Sequence, residues 1–165
     1  MTEAMVTELN QEAATTKRLL ERVPEDKLSW TPHQKSMSLG QLALHVARIP
    51  AELSRLAQLS EFDASAANFE PPMPKSRDEI LTALEQGVAE AARQIASMTP
   101  EVASGDWRLT LRGQEVFRMP RTGVLRSLLL NHWYHHRGQL SVYLRLLNVP
   151  IPVIYGRSAD ENPFA

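Results

Sequence analysis

Apolar residues recur at alternating steps of three and four through most of this 165-residue chain, and this spacing constrains the fold more than any other feature. Residues three and four apart share one face of an α-helix, so each such segment predicts an amphipathic helix. The first predicted helix ends at Pro24. Its apolar stripe consists of Val6, Leu9, Ala13, Thr16, Leu20 and Val23.

Two capping boxes mark the starts of the next two predicted helices. Ser38 with Gln41 and Ser76 with Glu79 have the spacing at which each side chain satisfies an unpaired amide of the first turn. Helix two is predicted over residues 38 to about 59, and helix three from Ser76 to residue 98. The polar, proline-rich segment 60–75 between them has no periodicity and predicts a long connection.

A last long helix is predicted from about Thr122 to Asn148, with proline before and after it. Ahead of it, Trp107, Leu109 and Leu111 alternate with polar residues, which predicts one strand of a small β-hairpin. After Gly113, the run 115–119 is predicted to return as the second strand. These elements predict an all-α fold of four helices with a hairpin insert before the last helix, in one domain over residues 1–165.

Charge and hydropathy exclude several classes of function. The 18 basic and 19 acidic residues give a formal net charge of −1 without long runs of like charge, which argues against nucleic acid or a membrane surface as partner. No apolar run approaches the roughly 18 to 20 residues needed to cross a bilayer. The charged N-terminal segment does not have the pattern of a signal peptide, so we expect a soluble cytoplasmic protein.

The chain contains no cysteine. This excludes disulfides, thiolate zinc sites, iron–sulfur clusters and thiol nucleophiles on the protein itself. Any thiol chemistry must therefore use a thiol from outside the chain.

Three of the five histidines fall within five positions of the last predicted helix. At about 100° per residue, His132 and His136 lie about 40° apart on the helix face that also carries Leu125, Leu129, Gln139 and Tyr143. His135 lies roughly 80° from the centre of this face on the same wheel. His45 lies in the apolar stripe of helix two, with Leu42, Ile49, Leu53 and Leu56.

Burying an imidazole without a hydrogen-bonding partner is costly. Burying two next to each other is worse, because protonation of either one repels the other. A pair spaced i, i+4 can chelate one divalent ion, and a third histidine from a facing helix would leave an open position for water or substrate. The alternative is a set of core histidines bonded to carbonyls or to Gln41. A zincin motif is excluded because Trp133 stands where the glutamate would be. A di-iron bundle is excluded because helices two and four lack its Glu-x-x-His motifs.

Three stretches resemble the DinB family of four-helix metal-binding proteins. They are Trp30-x-Pro32, SLGQLALHVARIP at 38–50 and NHWYHHRGQLSVYLRLLNVPIPVIYG at 131–156. The resemblance implies an up-down-down-up bundle that forms a homodimer through its helices. It also implies that His45, His132 and His136 bind a divalent metal, usually zinc or nickel, with water completing the shell.

Other residues near the histidines receive supporting roles. We expect His135 to pack beside the ligands and Arg137 to form an ion pair or a dimer contact. Gln139 and Tyr143, on the same face as the ligands, are predicted to bond a ligand, to orient bound water or simply to pack. Trp30 is expected to anchor its loop.

The family resemblance and the open site suggest three functions. The first is a metal-dependent thiol S-transferase that joins a low-molecular-weight thiol to a small electrophile, as relatives of the DinB family do. The second is a stress-linked protein that binds a metal or small ligand without turnover. The third is metal-dependent hydrolysis, for which Glu52 is the candidate proton acceptor.

Overall fold

The computed structural model describes residues 2–68 and 70–164, and most of them are helical, as predicted. No helix within these two ranges is both long and apolar enough to cross a membrane. The helices are α1 (Thr2–Leu20), α2 (Leu39–Gln58), α3 (Arg77–Ala96), α4 (Pro100–Ser104), α5 (Arg121–Gly123) and α6 (His132–Leu146). A π-helical segment, Val124–Asn131, joins α5 to α6 into one continuous last helix. The up-down-down-up order of the long helices stays a prediction.

The two predicted N-caps are confirmed. Ser38 Oγ accepts the Gln41 N–H at 3.2 Å, and the Gln41 side chain accepts the Ser38 N–H at 3.0 Å, which completes the box. The second box is only half formed. Ser76 Oγ accepts the Glu79 N–H at 3.1 Å, but the Glu79 carboxylate accepts the N–H of Lys75 instead.

The predicted hairpin is present, as β2 (Asp106–Leu111) and β3 (Gln114–Pro120). Its two-residue turn has positive φ at Arg112 and Gly113, which suits the right-handed twist of the strands. A bulge after Leu109 turns Thr110 inward, so Leu111 is half exposed rather than on the face of Trp107.

The sheet has a third strand, which was not predicted and lies within the long connection over 60–75. Strand β1 (Glu61–Asp63) pairs in parallel with β2. The Asp63 carboxylate accepts the backbone N–H groups of Arg112 and Gly113 at 3.1 and 3.0 Å, which ties β1 to the hairpin turn. Three residues are too few to show a period of two, so the sequence pattern did not reveal this strand.

The last helix also departs from the regular helix that was predicted. The π segment widens the helix just before His132, and a constant 100° per residue does not hold through it. Leu130 and Leu144 of this last helix are buried in the core of the chain.

One hydrogen bond between α2 and α6 aligns the two helices. Trp133 is fully buried, and its indole Nε1–H donates to the carbonyl oxygen of Val46 at 2.8 Å. Pro50 has no N–H, so the residue that would normally bond this carbonyl within α2 cannot do so. Trp133 therefore satisfies an acceptor that Pro50 exposes, and the residues beside this contact are His45 and His132.

We predict that Trp133→Phe lowers the free energy of unfolding by about 1 to 3 kcal/mol, because the Val46 carbonyl oxygen loses this partner inside the core. Denaturant unfolding followed by circular dichroism measures the loss. Adding Pro50→Ala to this variant supplies an N–H four residues after Val46, and it should recover part of the lost stability.

Trp107→Phe is the matched control. Trp107 is also fully buried, and its indole donates to Leu56 O at 3.1 Å, but that oxygen also accepts the Leu59 N–H at 3.2 Å. Replacing Trp107 should therefore lower the free energy of unfolding less than replacing Trp133 does. Equal losses for the two tryptophans, with no recovery from Pro50→Ala, would contradict this account of the contact.

Candidate metal centre

The structure brings His45 of α2 together with His132 and His136 of α6. One ring nitrogen from each lies within 4.8 Å of the others. The Nε2 atoms of His45 and His132 are 3.3 Å apart. The ring centroid of His136 lies 4.5 Å from that of His45 and 4.4 Å from that of His132. The three imidazoles thus form a compact triangle between two helices.

This triangle fits a divalent ion. Metal–nitrogen bonds of about 2.0 to 2.1 Å in tetrahedral geometry place neighbouring nitrogens about 3.3 to 3.4 Å apart, which matches the separation of His45 and His132. The donors are all imidazole nitrogens, which suit zinc, nickel, copper and iron. Three protein donors would leave a fourth position open.

The side chain of Gln139 orients the third imidazole. His136 Nδ1 lies 2.7 Å from Gln139 Oε1, an oxygen that can only accept a hydrogen bond. The proton of neutral His136 is therefore placed on Nδ1, and the lone pair is on Nε2. Such an outer partner fixes the tautomer that a metal ligand needs. The helical wheel placed Gln139 on the correct face but could not distinguish this role from packing.

Burial keeps the three histidines neutral. Desolvation, followed by the positive charges of the neighbouring histidines and Arg48, lowers the pKa of His45 from 6.5 to about 4. Burial and the same kind of repulsion lower the pKa of His132 to about 4, and burial also lowers that of His136. At neutral pH, each of the three imidazoles therefore keeps one unprotonated ring nitrogen, whose lone pair is available.

The other predicted residues take supporting positions. His135 is exposed beside His136 and is not part of the triangle. Tyr143 donates its hydroxyl hydrogen to Met37 O at 3.3 Å, and its ring contacts that of Trp30 edge-on with centroids 5.8 Å apart. Tyr143 thus packs, and Trp30 anchors its loop against the last helix.

Arg137 has the pairing role that was predicted. Its side chain is almost fully buried, and its Nη1 lies 2.6 Å from a carboxylate oxygen of Glu12 in α1. Its guanidinium also donates to the hydroxyl of Tyr155 and lies about 5 Å from the ring centroids of Tyr134 and Tyr155. Arg137 therefore holds the C-terminal segment against α1, and a buried residue of this kind is not a dimer contact.

A cavity of about 570 Å³ opens beside His45 and His132. Its lining is mostly apolar and includes Leu53, Leu56, Phe62, Leu109, Phe117 and Leu128. All three strands contribute to this wall, so the sheet closes the cavity next to the histidines. Sequence patterns missed Phe62 and Phe117 as site residues, because strand pairing brings them here from distant parts of the chain.

The pattern of one known family covers almost the whole chain, from residue 1 to residue 162. The chain belongs to the DinB family. The uncharacterized protein YrdA of Bacillus subtilis (strain 168) is 27% identical to it in an alignment of 157 residues that covers 91% of this chain and 85% of YrdA.

Solved structures agree on the fold. A DinB-like protein from Bacillus cereus ATCC 10987 superimposes with a TM-score of 0.70 at 23% identity, covering 93% of this chain and 97% of that one. The mycothiol-dependent maleylpyruvate isomerase has a TM-score of 0.52 at 16% identity, over 92% of this chain and 65% of the isomerase. At these identities the likeness shows a shared fold.

We predict that Gln139→Leu weakens metal binding by this DinB protein about 10- to 100-fold, because His136 loses the partner that selects its tautomer. Titration with zinc against a chromophoric chelator measures the affinity. His135→Ala alters an exposed neighbour and should leave the affinity unchanged. An unchanged affinity in Gln139→Leu would show that the Gln139 bond does not prepare the site.

We also predict that the metal-free DinB protein loses stability as the pH falls from about 6.5 to about 4. Histidines of the unfolded chain take up protons near 6.5, whereas His45 and His132 in the folded chain do so only near 4. Between these values the unfolded state binds more protons, so stability falls with falling pH, and outside this window these two groups contribute no slope.

Urea unfolding midpoints of the chelator-treated protein, measured at successive pH values, provide the test. A His45→Gln, His132→Gln double variant removes both groups and should show a shallower decline across the same window. The same slope in both proteins would assign the pH dependence to other residues.

Proposed function

We propose that this DinB protein binds a divalent metal ion, zinc or nickel, through His45, His132 and His136, and that it transfers an external thiol to a small apolar electrophile. The observation that carries the proposal is the triangle of neutral histidines bordering a cavity of about 570 Å³ with a mostly apolar lining. Such a cavity has the size of a small-molecule site.

A divalent ion in this position supplies a Lewis acid that lowers the pKa of a thiol or a water molecule at the open position. The chain's own residues provide the rest. The apolar wall binds the carbon body of the electrophile and excludes water, which strengthens electrostatic interactions at the centre. The thiol sulfur then bonds the electrophilic carbon, the leaving group takes the electron pair, and the thiol proton passes to solvent.

The chain has no cysteine, so a reacting thiol must be a free co-substrate, and the open position offers it a place. One further observation favours such a thiol over water as the nucleophile. A protein of the same fold, the maleylpyruvate isomerase, is described as mycothiol-dependent. Hydrolysis has weaker support, because its candidate base Glu52 faces Arg48, with Oε1 2.8 Å from the Arg48 Nε.

A non-catalytic, stress-linked binding protein is the second candidate. The pairing of Glu52 with Arg48 favours it, because this salt bridge occupies an acidic side chain that lines the cavity. Both candidates share the metal site, and turnover distinguishes them.

We also propose that the protein is cytoplasmic and forms a homodimer through its helices. Leu130 and Leu144 are buried and cannot contribute to a dimer contact. Val142 and Leu146 are both 57% exposed on α6, and they provide an apolar surface for such a contact.

We predict thiol-dependent conjugation of a chromogenic electrophile by the zinc- or nickel-loaded protein, with glutathione, bacillithiol and mycothiol each tested as the donor. His136→Ala should lower the rate at least roughly a hundredfold, because the several kcal/mol supplied by Lewis-acid catalysis depend on the ion. Leu128→Trp narrows the cavity beside His132 and should raise KM for the electrophile while metal content is retained.

His135→Ala is the control that should keep the full rate. Equal background rates for the loaded protein and His136→Ala with every thiol would reject the transferase. If the loaded protein nevertheless holds a stoichiometric amount of metal, the non-catalytic binding protein would remain as the candidate.

A further inference from the structure

Two cavities with different chemistry meet at His45. The second cavity, of about 440 Å³, shares His45, Glu52, Asn68 and Pro71 with the apolar one. The rest of its lining is Leu44, Arg48, Glu70 and Pro72. A molecule held at His45 can therefore extend into a charged compartment as well as into an apolar one.

Arg48 brings a positive charge to the second cavity. Its Nε lies 2.8 Å from Glu52 Oε1, and its side chain is 43% exposed. None of the hydrogen bonds among the described residues uses its terminal amino groups. The charge also reaches the histidines, since Arg48 contributes to the lowered pKa of His45. A guanidinium with unused parallel donors matches a carboxylate in shape and charge.

We propose that Arg48 binds a carboxylate of the thiol co-substrate, so that this site prefers carboxylate-bearing thiols over neutral ones. The inference rests on the proposed function in taking a thiol as the ligand, and it names the class of thiol. Arg48 follows His45 by three residues, about 4.5 Å along the axis of α2. Both side chains line the second cavity, so a short mercapto acid that enters it can direct its sulfur to the histidines and its carboxylate to the guanidinium.

The acidic side chains of the same cavity create the competing possibility. Glu52 pairs with Arg48, and Glu70 adds a second negative charge. If these carboxylates governed the local potential, the cavity would select an ammonium-bearing thiol instead. Thiols of similar size and different charge distinguish the two outcomes.

The test titrates the cobalt(II)-loaded full-length protein with 3-mercaptopropionate, 2-mercaptoethanol and cysteamine, which carry a carboxylate, a neutral hydroxyl and an ammonium. Binding of sulfur to cobalt changes the near-ultraviolet absorption, so each dissociation constant is measured without turnover. The quantity compared is the ratio of the constants for 2-mercaptoethanol and 3-mercaptopropionate. Comparing this ratio between variants cancels the intrinsic difference in thiol acidity.

We expect Arg48→Met to reduce this ratio about tenfold, the effect of one charge-assisted contact. Arg48→Lys retains the charge and should keep part of the preference. Glu52→Gln removes the competing carboxylate and should raise the preference. Arg55→Met is the matched control, because Arg55 lies on the same helix, pairs with Glu90 and lines neither cavity that contains His45.

An unchanged ratio in Arg48→Met, or tightest binding of cysteamine with no effect of Arg48→Met, would overturn the proposal. Transfer activity with an unchanged ratio would reject this inference and keep the proposed function. Charge-selective thiol binding without transfer activity would reject the proposed function and keep this inference. A spectrum that no thiol alters would reject both.

Discussion

The geometry of the histidine centre depends on the hydrogen bond from the Trp133 indole to the carbonyl of Val46. Both tryptophan and acceptor are buried, so misaligning the two helices would leave polar groups without partners in the core. Pro50 makes the contact possible, because it withholds the N–H that would otherwise bond this carbonyl. His45 precedes Val46 and His132 precedes Trp133, so the contact that aligns the helices also sets the distance between the two imidazoles.

Burial gives this centre its chemical character. The surrounding apolar side chains exclude water and lower the pKa values of the histidines, which leaves their nitrogens available to a metal at neutral pH. Gln139 completes the preparation by selecting the tautomer of His136. The same apolar surroundings continue into the cavity walled by the three strands, so the features that favour a metal also favour an apolar ligand beside it.

The two cavities at His45 separate apolar from charged surface. The sheet supplies Phe62, Leu109 and Phe117 to the first, Arg48 of α2 supplies charge to the second, and Glu52 lines both. A centre placed where the two meet can bring together two molecules of different polarity. The proposed transfer between an apolar electrophile and a charged thiol would use both surfaces to bring the reactants together.

Local patterns in the sequence determined the helices, their capped starts and the hairpin, because side-chain period and capping act over a few residues. They also placed His132 and His136 on one face, since four residues make about one helical turn. Tertiary structure decided what local patterns cannot encode. Strand β1 exists through its parallel pairing with β2, the π segment resets the helical phase before His132, and Leu130 and Leu144 enter the core. The cavity and the pairing of Arg48 with Glu52 likewise depend on how separate elements pack, and packing energies exceed local preferences.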